Sequence, residues 1–297
     1  MALSKIFRKK ERNVEQESIS KMASDTANDI IKKLAGGEIK HTRKLIDNVI
    51  VITSASGGSG ASTIVANVAH MANKMGMRVL VIDLNIMLPI QHSYFNIKQE
   101  IERPDIVSYL YGKNTIGEAM VNKSGVSLLY ANNRNLTDHI NTESDLSVNN
   151  FNAAIDRLRQ LYDVILIDTP MKIEHTLINN VMYNCDHIYL VWDEGINSIA
   201  NTERIRRNMA LSGIDAYTKM RVILNKRTSI HYSDYPFKKL NMELVGVLPF
   251  ESDIIDASLR SQIFCDNYAS SSKNSNVFYS EIENITLKIL QNGGYVS

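Results

Sequence analysis

The stretch Val49-Ile-Val-Ile-Thr-Ser-Ala-Ser-Gly-Gly-Ser-Gly-Ala-Ser-Thr63 constrains the fold more than any other part of the chain. Residues 49–53 are apolar or β-favouring, the pattern of a buried strand. A glycine-rich turn follows, and residues 64–75 have the spacing of an amphipathic helix. A strand, a glycine loop and a helix N-terminus together make an anion site. The glycines let backbone N–H groups converge on a phosphate, and the helix's free N–H groups and dipole favour its charge.

Beyond this unit, strands and helices alternate. That order predicts an α/β fold, a mostly parallel sheet flanked by helices on both faces. Residues 79–82 read as a strand with Asp83 at its carboxyl end, and residues 162–170 as a strand carrying Asp168. Residues 186–192, 220–227 and 245–249 supply further strands. In such sheets ligands gather at the carboxyl ends. Residues 132–148 read as a surface loop, and residues 151–161 and 277–291 as helices.

The loop 57–63 resembles the deviant Walker A of the MinD/ParA family, K-G-G-x-G-K-[ST]-T, with both lysines replaced. Ser56 stands at the signature-lysine position and Ala61 at that of the β/γ-phosphate lysine. The resemblance implies a nucleotide cradle of Gly57, Gly58, Ser59, Gly60, Ala61, Ser62 and Thr63. It also implies a metal set of Ser62, Asp83 and Asp168. The D-x-D motif of this family and of the related bacterial tyrosine kinases is Asp83-Leu-Asn85 here, so an amide replaces the second carboxylate. Pro89-Ile-Gln-His92-Ser-Tyr-Phe95 is similar to the kinases' P-x-x-H-x-x-F, and His92 reads as a packed histidine. Asn225, in a strand ending Asn-Lys-Arg227, resembles the family's adenine reader. Pro249 and Glu251 resemble its loop beside the base. Lys172 is read as the cation next to the strand ends, a candidate substitute for the missing charge.

These motifs span roughly residues 48–265 in family order. The implied domains are an N-terminal arm (1–47), partly helical, and a P-loop domain (48–297). A P-loop altered in this way is similar to those of the CpaE/TadZ proteins of pilus assembly, which carry a receiver-like domain that the arm is too short to hold. An amide cannot ionise or take a proton, and the lysines are gone, so negligible hydrolysis is expected. The resemblance then implies a positioning or scaffolding factor, with ATP or ADP and Mg²⁺ as ligands. It would form a homodimer through the nucleotide face and bind unidentified protein partners. The alternatives are an active partition or cell-division ATPase and a modulator of the tyrosine-kinase class.

Composition enters at the margins. A formal charge of +1 gives no global argument for nucleic acid. Local basic clusters remain, Arg204, Arg206 and Arg207 for DNA and residues 1–12 for an anionic membrane, and neither is favoured. Cys185 and Cys265 stand outside any metal-ligand spacing and read as reduced thiols. With no apolar run of membrane-spanning length, the expected location is the cytoplasm, with peripheral contact at the inner membrane face as the lesser option.

Overall fold

The computed structural model describes residues 47–100, 103–132, 148–170, 176–228, 233–266 and 277–294. Nearly all of the arm and Lys172 lie outside these residues. The architecture is the expected one, an eight-stranded sheet in the order β3-β4-β2-β5-β1-β6-β7-β8. The strands are β1 (Val49–Ser54), β2 (Val79–Asp83), β3 (Val121–Lys123), β4 (Val126–Leu129), β5 (Val164–Thr169), β6 (His187–Trp192), β7 (Met220–Arg227) and β8 (Leu244–Pro249). All pairs are parallel except β3 with β4.

Alternate side chains of each central strand bury into separate cores. Val49 and Val51 face one, Ile50 and Ile52 the other. Burial on both sides explains why these strands read as unbroken apolar runs rather than alternating ones. On one face pack α1 (Ala61–Lys74), α2 (Gln91–Tyr94), α10 (Ser252–Leu259) and α11 (Val277–Asn292). The other face carries α3 (Ile106–Leu110), α4 (Ile116–Ala119), α5 (Val148–Leu161) and α6 (Thr176–Asn184). It also carries α7 (Ile196–Leu211), α8 (Ala216–Lys219) and α9 (Tyr235–Lys239).

Three boundaries differ from the sequence reading. Helix α1 begins at Ala61 rather than at residue 64. Gly60, at φ 95°, turns the chain so that Ala61, Ser62 and Thr63 already form the first helical turn. The second difference is the hairpin of β3 and β4. Ser124 (φ 52°) and Gly125 (φ 83°) make a two-residue turn with both φ positive, the geometry that closes antiparallel strands. Third, α5 starts at Val148, at the edge of the expected loop; residues 133–147 of that loop lie outside the described ones.

Helix α11 closes the far end of the sheet. Gly246 in β8 leaves room for Ile285, whose Cγ1 would lie 2.4 Å from a Cβ placed there. Lys288 then donates from its ammonium to the Val245 carbonyl. Among the described residues no helix is long and apolar enough to cross a membrane. Cys185 and Cys265 are buried and free.

Candidate functional site

The carboxyl ends of β1, β5, β7 and β8 open onto a cavity of about 610 Å³. Of the loop residues singled out by sequence, Gly57, Gly58, Gly60, Ala61, Ser62 and Thr63 line it. Asn85 and Asp168 join them from the ends of β2 and β5, and Asn225, Pro249 and Glu251 from β7 and β8. Ser59 and Asp83 lie behind the lining, both at 0% exposure.

The loop is gripped from β7. A Cβ on Gly60 would stand 2.5 Å from Asn225 Nδ2, so only glycine fits there. Asn225 Nδ2 donates to the Ser59 carbonyl at 2.8 Å, which engages the amide expected to meet adenine. Lys226, itself at φ 56°, donates from Nζ to the Gly58 carbonyl at 2.6 Å. Lys172, the cation read from sequence beside the strand ends, lies outside the described residues. Lys226 lines the cavity, and the signal for it in the sequence is its place beside Asn225 at the end of β7.

Where a signature lysine would stand, Ser56 donates its hydroxyl to Asp193 Oδ2 at 2.9 Å. Ser198 donates to Asp193 Oδ1 at 2.6 Å. Partial burial acts against the charge of Asp193, yet the Ser198 and Ser56 hydroxyls hold its carboxyl below the usual range. This corner of the loop therefore faces an anion.

Asp83 and Asp168 stand side by side as partners across β2 and β5. Asp83 accepts three backbone N–H groups: Asn85 on Oδ1 at 3.0 Å, and Ile90 and Gln91 on Oδ2 at 2.9 and 3.0 Å. Asp168 accepts the Gln91 side-chain amide on Oδ2 at 2.7 Å, and the Ser62 side chain also favours its charged form. Burial pushes both carboxyls above the usual range, and the charge of Asp168 adds to the shift at Asp83.

Sequence reasoning missed two contributors, Gln91 and Tyr94. The Tyr94 hydroxyl lies 2.8 Å from Thr63 Oγ1. The neighbouring His92 packs against Tyr130 with ring centroids 5.7 Å apart, as a packed histidine should.

The residues present fit a phosphate chain and a hard cation in part. Helix α1 has no side-chain N-cap hydrogen bond and no acid in its first turn, so its N–H groups face the cavity end without a local anion. Thr169 Oγ1, in the cavity lining, and Ser59 Oγ behind it are buried without partners, the mark of groups awaiting a ligand or water. Among the described residues no three His, Cys, Asp or Glu side chains cluster. A cation here would rest on Asp83, Asp168, the Ser62 hydroxyl and water, a set suited to Mg²⁺. The lysine contacts are lacking.

Sheet order, glycine loop and paired acids together define a P-loop ATPase fold of the MinD/ParA type. The chain belongs to the AAA_31 family, described as an AAA domain, which its residues 47–212 match. The septum site-determining protein MinD of Thermotoga maritima is 28% identical over 218 residues, covering 71% of this chain and 78% of that protein. The putative tyrosine-protein kinase EpsB of Ralstonia solanacearum is 31% identical over 125 residues, covering 42% of this chain and 16% of that protein. The structure of MinD from Pyrococcus horikoshii complexed with Mg-ADP superposes with a TM-score of 0.67 at 18% identity, covering 82% of this chain and 95% of that one. This last likeness carries the fold alone.

Proposed function

We propose that this protein is a degenerate MinD/ParA-type member, a positioning or scaffolding factor for a pilus, secretion or similar assembly that binds nucleotide with weak or no hydrolysis. One observation carries the reading: Ser56 and Ala61 fill both lysine positions, and Ser56 faces the carboxylate of Asp193. A lysine–phosphate contact contributes ~1.5–3 kcal/mol. Losing two lowers affinity by roughly a hundredfold or more, at ~1.4 kcal/mol per decade. The loss in catalysis is larger, because those cations meet charge that develops during phosphoryl transfer.

What remains is a holding site. The loop and α1 N–H groups would cradle the phosphates, while Ser62, Asp83 and Asp168 would hold Mg²⁺, whose role when bound is to neutralise phosphate charge. Asn85 offers the cavity no carboxylate. Titration calorimetry with ATP–Mg²⁺ and ADP should show weak binding, and single-turnover assays with labelled ATP should show hydrolysis at the blank rate. Hydrolysis comparable to an intact relative would overturn the reading.

Leu88, Ile90, Phe250 and Ile255 are exposed around the cavity, which supports association of two copies through this face. Molar mass by light scattering, with and without ATP–Mg²⁺, tests that step. The DNA alternative loses one of its arginines. Arg206 lies over the Tyr217 ring at 3.8 Å and donates to the Leu240 carbonyl.

The position of Lys226 favours a second reading, an active ATPase with a relocated cation. On that reading Lys226→Ala abolishes turnover, and unchanged turnover removes it.

A further inference from the structure

We infer that Gln91 is a built-in neutral stand-in for a divalent cation, closing the acid end of the site without metal and swinging away before a metal can enter. One residue reaches both acids. Its backbone N–H donates to Asp83 Oδ2 at 3.0 Å, and its side-chain Nε2 donates to Asp168 Oδ2 at 2.7 Å and to the Ser62 carbonyl at 3.0 Å.

The orientation of the amide is fixed by its surroundings. A carbonyl can only accept, and a carboxylate facing an amide is satisfied by its N–H, so a flipped amide would set oxygen against oxygen. The N–H end, carrying partial positive charge, therefore points where a cation would draw the same carboxylate. Gln91 has 0% exposure, and its Oε1 has no partner. An acceptor left unpaired in a dry site is unfavourable. It shows that the side chain is held for its donors. Mg²⁺ and Mn²⁺ bind through carboxylate and hydroxyl oxygens, so cation and amide compete for Asp168. Gln91 opens the single-turn helix α2, two residues after Pro89, so its side chain can rotate out without unwinding a long element. The inference concerns the site of the proposed function but does not depend on hydrolysis.

The test uses the full chain without nucleotide, comparing wild type with Gln91→Leu and Gln91→Glu. Melting is followed in EDTA and in excess MnCl₂, and Mn²⁺ binding by loss of the free-ion electron paramagnetic resonance signal. The wild-type melting temperature should be the same in both buffers. Gln91→Leu should melt roughly 3–10 °C lower in EDTA and recover in MnCl₂, binding Mn²⁺ about tenfold tighter or more. Gln91→Glu adds a carboxylate and should bind tighter still. Mn²⁺ affinity unchanged or weakened in both variants, or no loss of melting temperature in EDTA, overturns the inference. If neither variant folds, Gln91→Asn, which keeps the amide but shortens its reach, decides: Mn²⁺ affinity above that of the wild type upholds the inference, and affinity unchanged or weaker overturns it. Turnover by the wild type would sink the proposed function and leave this result standing.

Discussion

The two ends of the cleft are furnished differently. At the loop end Ser56 and Ala61 carry no charge, and the glycine backbone is braced by Asn225 and Lys226. At the acid end both carboxylates are present, buried and supplied with four hydrogen bonds, three from backbone and one from the Gln91 side chain. Position explains the contrast. Ser56 is half-buried with its hydroxyl on Asp193, and Ala61 is buried and carries no polar group, so neither residue at the lysine positions leaves a buried side-chain group unpaired. Asp83 anchors the turn after β2, where three N–H groups depend on it.

Replacing each end tests that account. Asp83→Ala leaves three N–H groups without their acceptor, one buried and two part-buried, while relieving repulsion with Asp168, a net loss of ~2–4 kcal/mol. Ser56→Ala should cost within ~1 kcal/mol. Urea unfolding of the metal-free protein measures both, and equal losses would break the comparison. Gly60→Ala should cost ~2–3 kcal/mol, from a left-handed φ and the displaced Asn225 bond. A smaller loss would mean that the brace from β7 is slack. Restoring charge with Ala61→Lys should tighten ATP binding about tenfold, ~1.4 kcal/mol, by calorimetry; no gain would mean that charge is not what the loop end lacks.

The smallest effect is a pH slope at His92. Burial lowers its pKa, so between the folded and unfolded values the unfolded chain holds more protons. Stability is then complete above ~6.5 and declines as pH falls through that value. His92→Gln should flatten this limb of the melting profile, and an unchanged profile would place the acid sensitivity elsewhere.

The sheet was legible because parallel strands buried on both faces write long apolar runs, and their acids fall at the ends. The stripped loop was equally plain, being a local pattern of consecutive residues. What escaped was contact at a distance. Gln91 meets Asp168 77 positions away and Asn225 meets Ser59 166 positions away, and no periodicity announces either. Strand β3 escaped for the opposite reason: at three residues it is too short to show alternation, though Ser124-Gly125 carried the turn signal.

Lys288 on the Val245 carbonyl has a consequence for assembly. A bare border strand invites a foreign peptide to extend the ladder. Here one such carbonyl is capped by an ammonium, Ile285 crowds Gly246 beside it, and the opposite border is the three-residue β3. Growth by strand addition is discouraged at both flanks, so any higher-order array built from this molecule must use its broad surfaces.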